Sequence, residues 1–211
     1  MTVQSVAVKA LRPTQIAVGM KLVKAKRKGL RARERKPQEL VQFILENPIR
    51  VVAGPGKFLF VVDHHHLALA LLDESFDTAP VVVLDDLSTL AMPEFWKQME
   101  AKGWVHPFDG KGRKRPLRNI PRKVRKLEDD PYRSLAGFVR VGGGFQKSQT
   151  PYAEFLWADF YRKQIPLKAL KKDFNKALVQ AKRLAASLDA ANLPGYAPQG
   201  VAKVSNKKDN A

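Results

Sequence analysis

The spacing of the apolar residues changes once, abruptly, inside one stretch of the chain, and that change dictates what the first half can be. Ile49 to Ala53 is a largely β-branched run, Gly54-Pro55-Gly56 follows, and Phe58 to Val62 is a second apolar run. Two short apolar runs joined by Gly and Pro predict a β-hairpin. From His65 onward the apolar positions are Leu67, Ala68, Ala70, Leu71 and Leu72, a helical spacing. Asp63-His64-His65-His66 occupies the seam between the two patterns. A further buried strand is predicted over residues 80–84, PVVVL, and a short helix over residues 93–102. The first half is therefore of the α/β (α+β) class.

Around this unit the chain divides by composition. Residues 5–18 predict a strand, a Pro-bearing bend and a second short apolar piece. Residues 21–36 carry nine Lys and Arg over a thin stripe of Leu22, Val23 and Leu30, a basic helix or loop. Pro37 suits a first helical position, and Asn47-Pro48 stops the helix it opens. Residues 109–126, DGKGRKRPLRNIPRKVRK, predict an exposed loop or ordered arm. Gly142-Gly143-Gly144 marks a turn. Thr150 is a candidate N-cap for a helix running to about Lys163, and residues 167–188 step by three or four as one amphipathic helix. The expected organisation is an α/β domain at 1–105, a basic arm at 106–130, a helical extension at 131–194 and a disordered tail at 195–211.

Composition bounds the chemistry. With 211 residues and 45% hydrophobic content the chain can bury a core. No run of about 18 apolar residues suits a membrane helix, and the N-terminus does not read as a signal peptide, so a cytoplasmic location is expected. Cysteine is absent, which excludes disulfides, thiol nucleophiles and zinc–thiolate sites. The formal net charge of +18 points to a polyanionic partner, nucleic acid or nucleotide.

The seam is the candidate catalytic site: Asp63, His64, His65 and His66. A strand-to-helix junction is where backbone amides can hold an anion, and Asp63 can cap the helix. Successive helical residues diverge by about 100°, so the three histidines have separate jobs. One is a general acid/base, one binds phosphate or orients Asp63, and one is structural, with His65 or His66 expected as the acid/base. The string Asp-His-His also occurs in metal-dependent phosphoesterases, but those need further carboxylates upstream, and residues 1–62 contain no aspartate. No protein metal cage is therefore assigned. Residues 142–148 end in Lys-Ser but have Gln146 where a phosphate-binding Walker loop has glycine, so they are read as a loop.

Leu11-Arg12-Pro13-Thr14-Gln15, Val18-Gly19, Gly54-Pro55-Gly56 and Val61-Val62-Asp63-His64-His65-His66-Leu67-Ala68 together resemble the ParB/sulfiredoxin superfamily, most of all its ParB-like nuclease branch. Asp129 to Arg140 and Tyr152 to Phe160 are similar to that branch too. The resemblance implies a small mixed-sheet domain that handles nucleotides and phosphate: ParB proteins bind CTP, sulfiredoxins use ATP and ParB-like free-serine kinases use ADP. A nucleotide, a divalent metal such as magnesium, or both are the cofactors it allows. The kinase-like members carry Asp-Gly-His-His-Arg at the junction. Asp63, His65 and His66 match, while His64 replaces the Gly and Leu67 the Arg. The missing phosphate-binding cation would be supplied by Lys26, Arg50 or Lys57.

In the arm, Lys111, Arg113, Lys114, Arg115, Arg118, Arg122, Lys123, Arg125 and Lys126 are the candidate nucleic-acid-binding residues. Three functional readings follow: phosphoryl transfer or phosphodiester hydrolysis at the junction, a non-catalytic nucleic-acid-binding module built on the arm, or a regulatory protein that kept the fold and lost the chemistry.

Overall fold

The computed structural model describes residues 3–198, which form two compact units, residues 3–134 and 135–198. The first unit opens with strand β1 (Val3–Ala7), β2 (Arg12–Pro13) and β3 (Ala17–Val18). Helices α1 (Met20–Glu34) and α2 (Pro37–Glu46) follow. Then come β4 (Ile49–Gly54), β5 (Phe58–Asp63), α3 (His65–Asp73), β6 (Thr78–Asp86), α4 (Met92–Ala101) and β7 (Glu128–Asp129).

Five strands make one mixed sheet in the order β1-β6-β4-β5-β2. β4 and β5 are the antiparallel hairpin, β4 runs parallel to β6, and β2 runs parallel to β5. Side chains alternate across a strand, so neighbouring residues serve two cores. Val51, Val61 and Val81 face the cluster that holds Val23 and Leu30 of α1 and Leu67 and Leu71 of α3. Val52 and Phe60 belong instead to the cluster with Phe95 and Met99 of α4. The short β3 pairs with β7 in a separate parallel ribbon.

The basic segment 21–36 is helical because Val23 and Leu30 fall on one buried face, while its cations stay outside. Arg27 and Arg31 both pair with Glu74, just past the end of α3, and Lys36 pairs with Glu39. The arm is ordered and belongs to the first unit. Val124 and Leu127 lie in the α1–α3 core, and the buried Asp109 accepts the amides of Lys111 and Arg113 and pairs with Arg115.

The second unit holds the remainder of α5 (Pro131–Val141), then α6 (Ala153–Gln164), α7 (Leu167–Lys172) and α8 (Phe174–Ala185). Its centre is Trp157, stacked on Phe145 at 4.1 Å and donating from Nε1 to the Pro194 carbonyl. Two expectations are corrected here. Thr150 does not cap α6: its hydroxyl and amide pair with the Ser148 hydroxyl, Tyr152 takes a left-handed conformation, and the helix starts at Ala153. The single helix expected over 167–188 is two, because Asp173 turns extended and its carboxylate accepts the Lys176 amide as the N-cap of α8. Of the tail expected at 195–211, Gly195 accepts the Gln146 amide, and residues 199–211 lie outside the described residues.

Gly54 closes β4 where a Cβ would lie 2.6–2.8 Å from the Phe60 and Phe95 rings. Gly54→Ala is expected to destabilise the fold by about 1–3 kcal/mol through overpacking, measured as a shift in the urea midpoint at constant slope. An unchanged midpoint would show that the aromatic cluster yields freely.

Candidate active site

The junction is built by the end of β5 and the start of α3, with β4 alongside. Asp63 is the last residue of β5 and is paired in register with Arg50 of β4. The next residue, His64, carries the N-cap position at φ 70°, ψ 26°. Left-handed backbone is strained for any residue with a Cβ, which is the physical reason for a glycine at this position in the Asp-Gly-His-His-Arg pattern. Asp63 does not cap the helix as expected. Its Oδ1 accepts the amide of His64, 2.7 Å away, and no side chain caps α3. The first-turn amides of α3 are thus left uncapped, and they sit at the positive end of the helix dipole.

The three histidines separate sharply. His65 and His66 are buried, at 3% and 9% exposure. His65 Nε2 accepts the Thr14 amide at 3.2 Å, and His66 Nε2 accepts the Gly19 amide at 3.0 Å. A nitrogen that accepts an N–H is unprotonated, so both rings are neutral with the proton on Nδ1. Burial holds His65 at a pKa of about 3, against the pull of Asp63 and a backbone hydrogen bond with Val61. Burial, and then the Arg133 charge, puts His66 well below the usual histidine range. The acid/base role expected of these two residues needs a ring nitrogen that can reach a ligand, and their Nε2 atoms are engaged.

His64 is different. Its side chain is 34% exposed, and its Nε2 lies 3.9 Å from Asp63 Oδ2. Partial burial lowers its pKa, Asp63 opposes that, and Lys26 and Arg50 each lower it further. Two of the three candidate cations therefore act on this ring: Lys26 from α1 and Arg50 from β4, both exposed. Lys57 does not join them, since it precedes the other end of β5, roughly 20 Å of extended chain from Asp63.

Thr14 and Gly19 have no role in the sequence reading, although both fall in its motifs. Thr14 is fully buried, donating its amide to His65 and its hydroxyl to the Val61 carbonyl. Gly19 gives its amide to His66 where a Cβ would stand 2.7 Å from the Ser134 amide and hydroxyl. All nine arm cations are exposed, and only Arg115 forms an ion pair among the described residues. No group of three or more His, Asp or Glu able to hold a metal ion occurs among the described residues, and none of their helices is long and apolar enough to cross a membrane.

The buried rings tie stability to pH. The unfolded chain protonates histidine below about pH 6.5, whereas the folded rings stay neutral far lower. The stabilisation is complete above that pH and is lost as pH falls toward 3, by about 1.4 kcal/mol per pH unit for each such ring. His106, held at about 3 by burial and by Arg133, adds to the slope. Urea unfolding at pH 7, 6 and 5 is expected to show a falling midpoint, and a flat profile would contradict neutral burial.

The family model described as "Putative ParB-like nuclease" matches residues 4–163. No curated protein matches the sequence. The crystal structure of protein Atu1540 from Agrobacterium tumefaciens is similar at 38% identity with a TM-score of 0.85, over 95% of this chain and 100% of that one.

Proposed function

This chain belongs to the ParB-like nuclease family, and on that premise we propose that it hydrolyses phosphodiester bonds of nucleic acid at the β5–α3 junction. One observation carries the reading. His64 is the junction imidazole that reaches the surface, and it does so beside Asp63, at an uncapped helix start, under the influence of Lys26 and Arg50.

In this mechanism the uncapped amides of α3, with Lys26 and Arg50, hold the anionic phosphate oxygens. His64, neutral at pH 7, takes a proton from water as its oxygen attacks phosphorus; the P–O bond to the leaving oxygen breaks, solvent water protonates that oxygen, and the imidazolium returns its proton to solvent. Asp63 steadies the imidazolium that forms. His65 and His66 are positioning residues: they fix the first turn of α3 and the loop from Thr14 to Gly19. A magnesium ion fits only if substrate phosphates supply most of its ligands, because Asp63 is the carboxylate within reach and the Nε2 atoms of His65 and His66 are engaged.

Glycine at position 64 removes the imidazole and also the left-handed strain. His64→Gly is therefore expected to fold with stability unchanged or raised by about 0.5–1 kcal/mol. Its turnover of a fluorogenic oligonucleotide is expected to fall about 100-fold or more. Full turnover in the folded variant would refute the assignment.

The arm supports a second reading, a nucleic-acid-binding module without chemistry, because its exposed cations have so little acid to neutralise them. Both readings share one consequence. Replacing Lys123, Arg125 and Lys126 by Ala is expected to reduce the slope of log K against log salt by about 0.7 for each single-strand phosphate that is no longer neutralised. Anisotropy titrations at several salt concentrations measure it, and an unchanged slope would remove the arm from the interface.

A further inference from the structure

Strand β2, helix α4 and residues 117–122 of the arm line a cavity of about 220 Å³ on the α4 face of the sheet. It shares no residue with the junction. Phe60 and Trp96 form aromatic lining, their rings meeting edge-on at 5.5 Å, and Trp96 is half-buried. Three guanidiniums, Arg12, Arg118 and Arg122, line it as well. None of the three forms an ion pair among the described residues. Arg12 instead lies over the Phe58 ring, 3.1 Å from its centroid. Burial and the charge of Arg122 both oppose protonation of Arg12. Like charges face one another there with no carboxylate between them, which an anion would relieve.

The chemistry selects the occupant. Three planar forks match the oxygens of a phosphate better than a single carboxylate. An indole beside them matches a planar base, since any base can stack on an aromatic ring. The volume is below the roughly 300–1,000 Å³ of sites that enclose a whole small molecule, so the cavity takes part of a longer ligand. Exposed Lys123, Arg125 and Lys126 follow directly along the chain, as a backbone-tracking surface would.

We propose that this cavity seats one nucleotide of a single-stranded nucleic acid, its base against Trp96 and its phosphate among Arg12, Arg118 and Arg122. The inference rests on the nucleic-acid reading above, and deepens it by assigning single strands and an anchoring point away from the chemistry.

The test uses the full chain carrying Asp63→Asn, to prevent turnover, and a short 5′-phosphorylated oligothymidylate. Oligonucleotide is expected to quench tryptophan emission, and Trp96→Phe to abolish most of that quench although Trp104 and Trp157 remain. The exposed pair Arg118→Gln/Arg122→Gln is expected to weaken binding about 10-fold or more, with an unchanged circular dichroism spectrum. Thymidine monophosphate and inorganic phosphate are the comparison arms, and both are expected to bind more weakly than the oligonucleotide. A mononucleotide that binds as tightly as the strand would overturn the assignment in favour of a free nucleotide. Oligonucleotide affinity that is the same in all these variants would overturn the cavity and leave the arm reading standing. No binding of the strand to any form would overturn both.

Discussion

Two amide-to-imidazole hydrogen bonds hold the site together. Thr14 and Gly19, at the ends of one buried loop, each give a backbone N–H to a histidine in the first turn of α3. A buried amide without an acceptor costs about 1–3 kcal/mol, so these bonds fix the loop and the helix start as one body. They also demand that the two imidazoles stay uncharged. The helix end that faces the surface is therefore built on neutral rings, and its positive dipole is not opposed by a buried carboxylate.

Positive charge is then concentrated where a phosphate could use it. A few cations of the first unit are paired with acids: Glu74 holds Arg27 and Arg31, and Asp109 holds Arg115. At the junction, Lys26 and Arg50 act on His64, and at the cavity beside Trp96 three arginines stand without acid partners among the described residues. The exposed cations of the first unit are therefore unevenly matched by acids, and the family membership gives that unevenness a direction.

The fold was legible where periodicity and turn chemistry agreed. The hairpin around Gly54-Pro55-Gly56, the helix from His65 and the strand through residues 80–84 form as their spacing predicts. The breaks in the second unit were less legible, since Asp173 caps α8 with a side chain that periodicity counts only as polar. At the junction the sequence marks Asp63 to His66 as a group and cannot rank the three histidines. Three adjacent histidines look alike on paper. Their roles separate only when the buried segment from Thr14 to Gly19, some fifty residues earlier, arrives to bond two of them. The left-handed turn at His64 is likewise invisible without its dihedral angles, although the glycine in the family pattern hints at it.

The division of labour among the three imidazoles can be measured directly by nitrogen-15 long-range NMR of the histidine rings across pH. His65 and His66 are expected to stay neutral, protonated at Nδ1, well below the usual histidine range. His64 alone among the three titrates above them and shifts when a phosphorylated oligonucleotide is added. Titration of His65 or His66 near pH 6, or a His64 signal indifferent to the oligonucleotide, would contradict it.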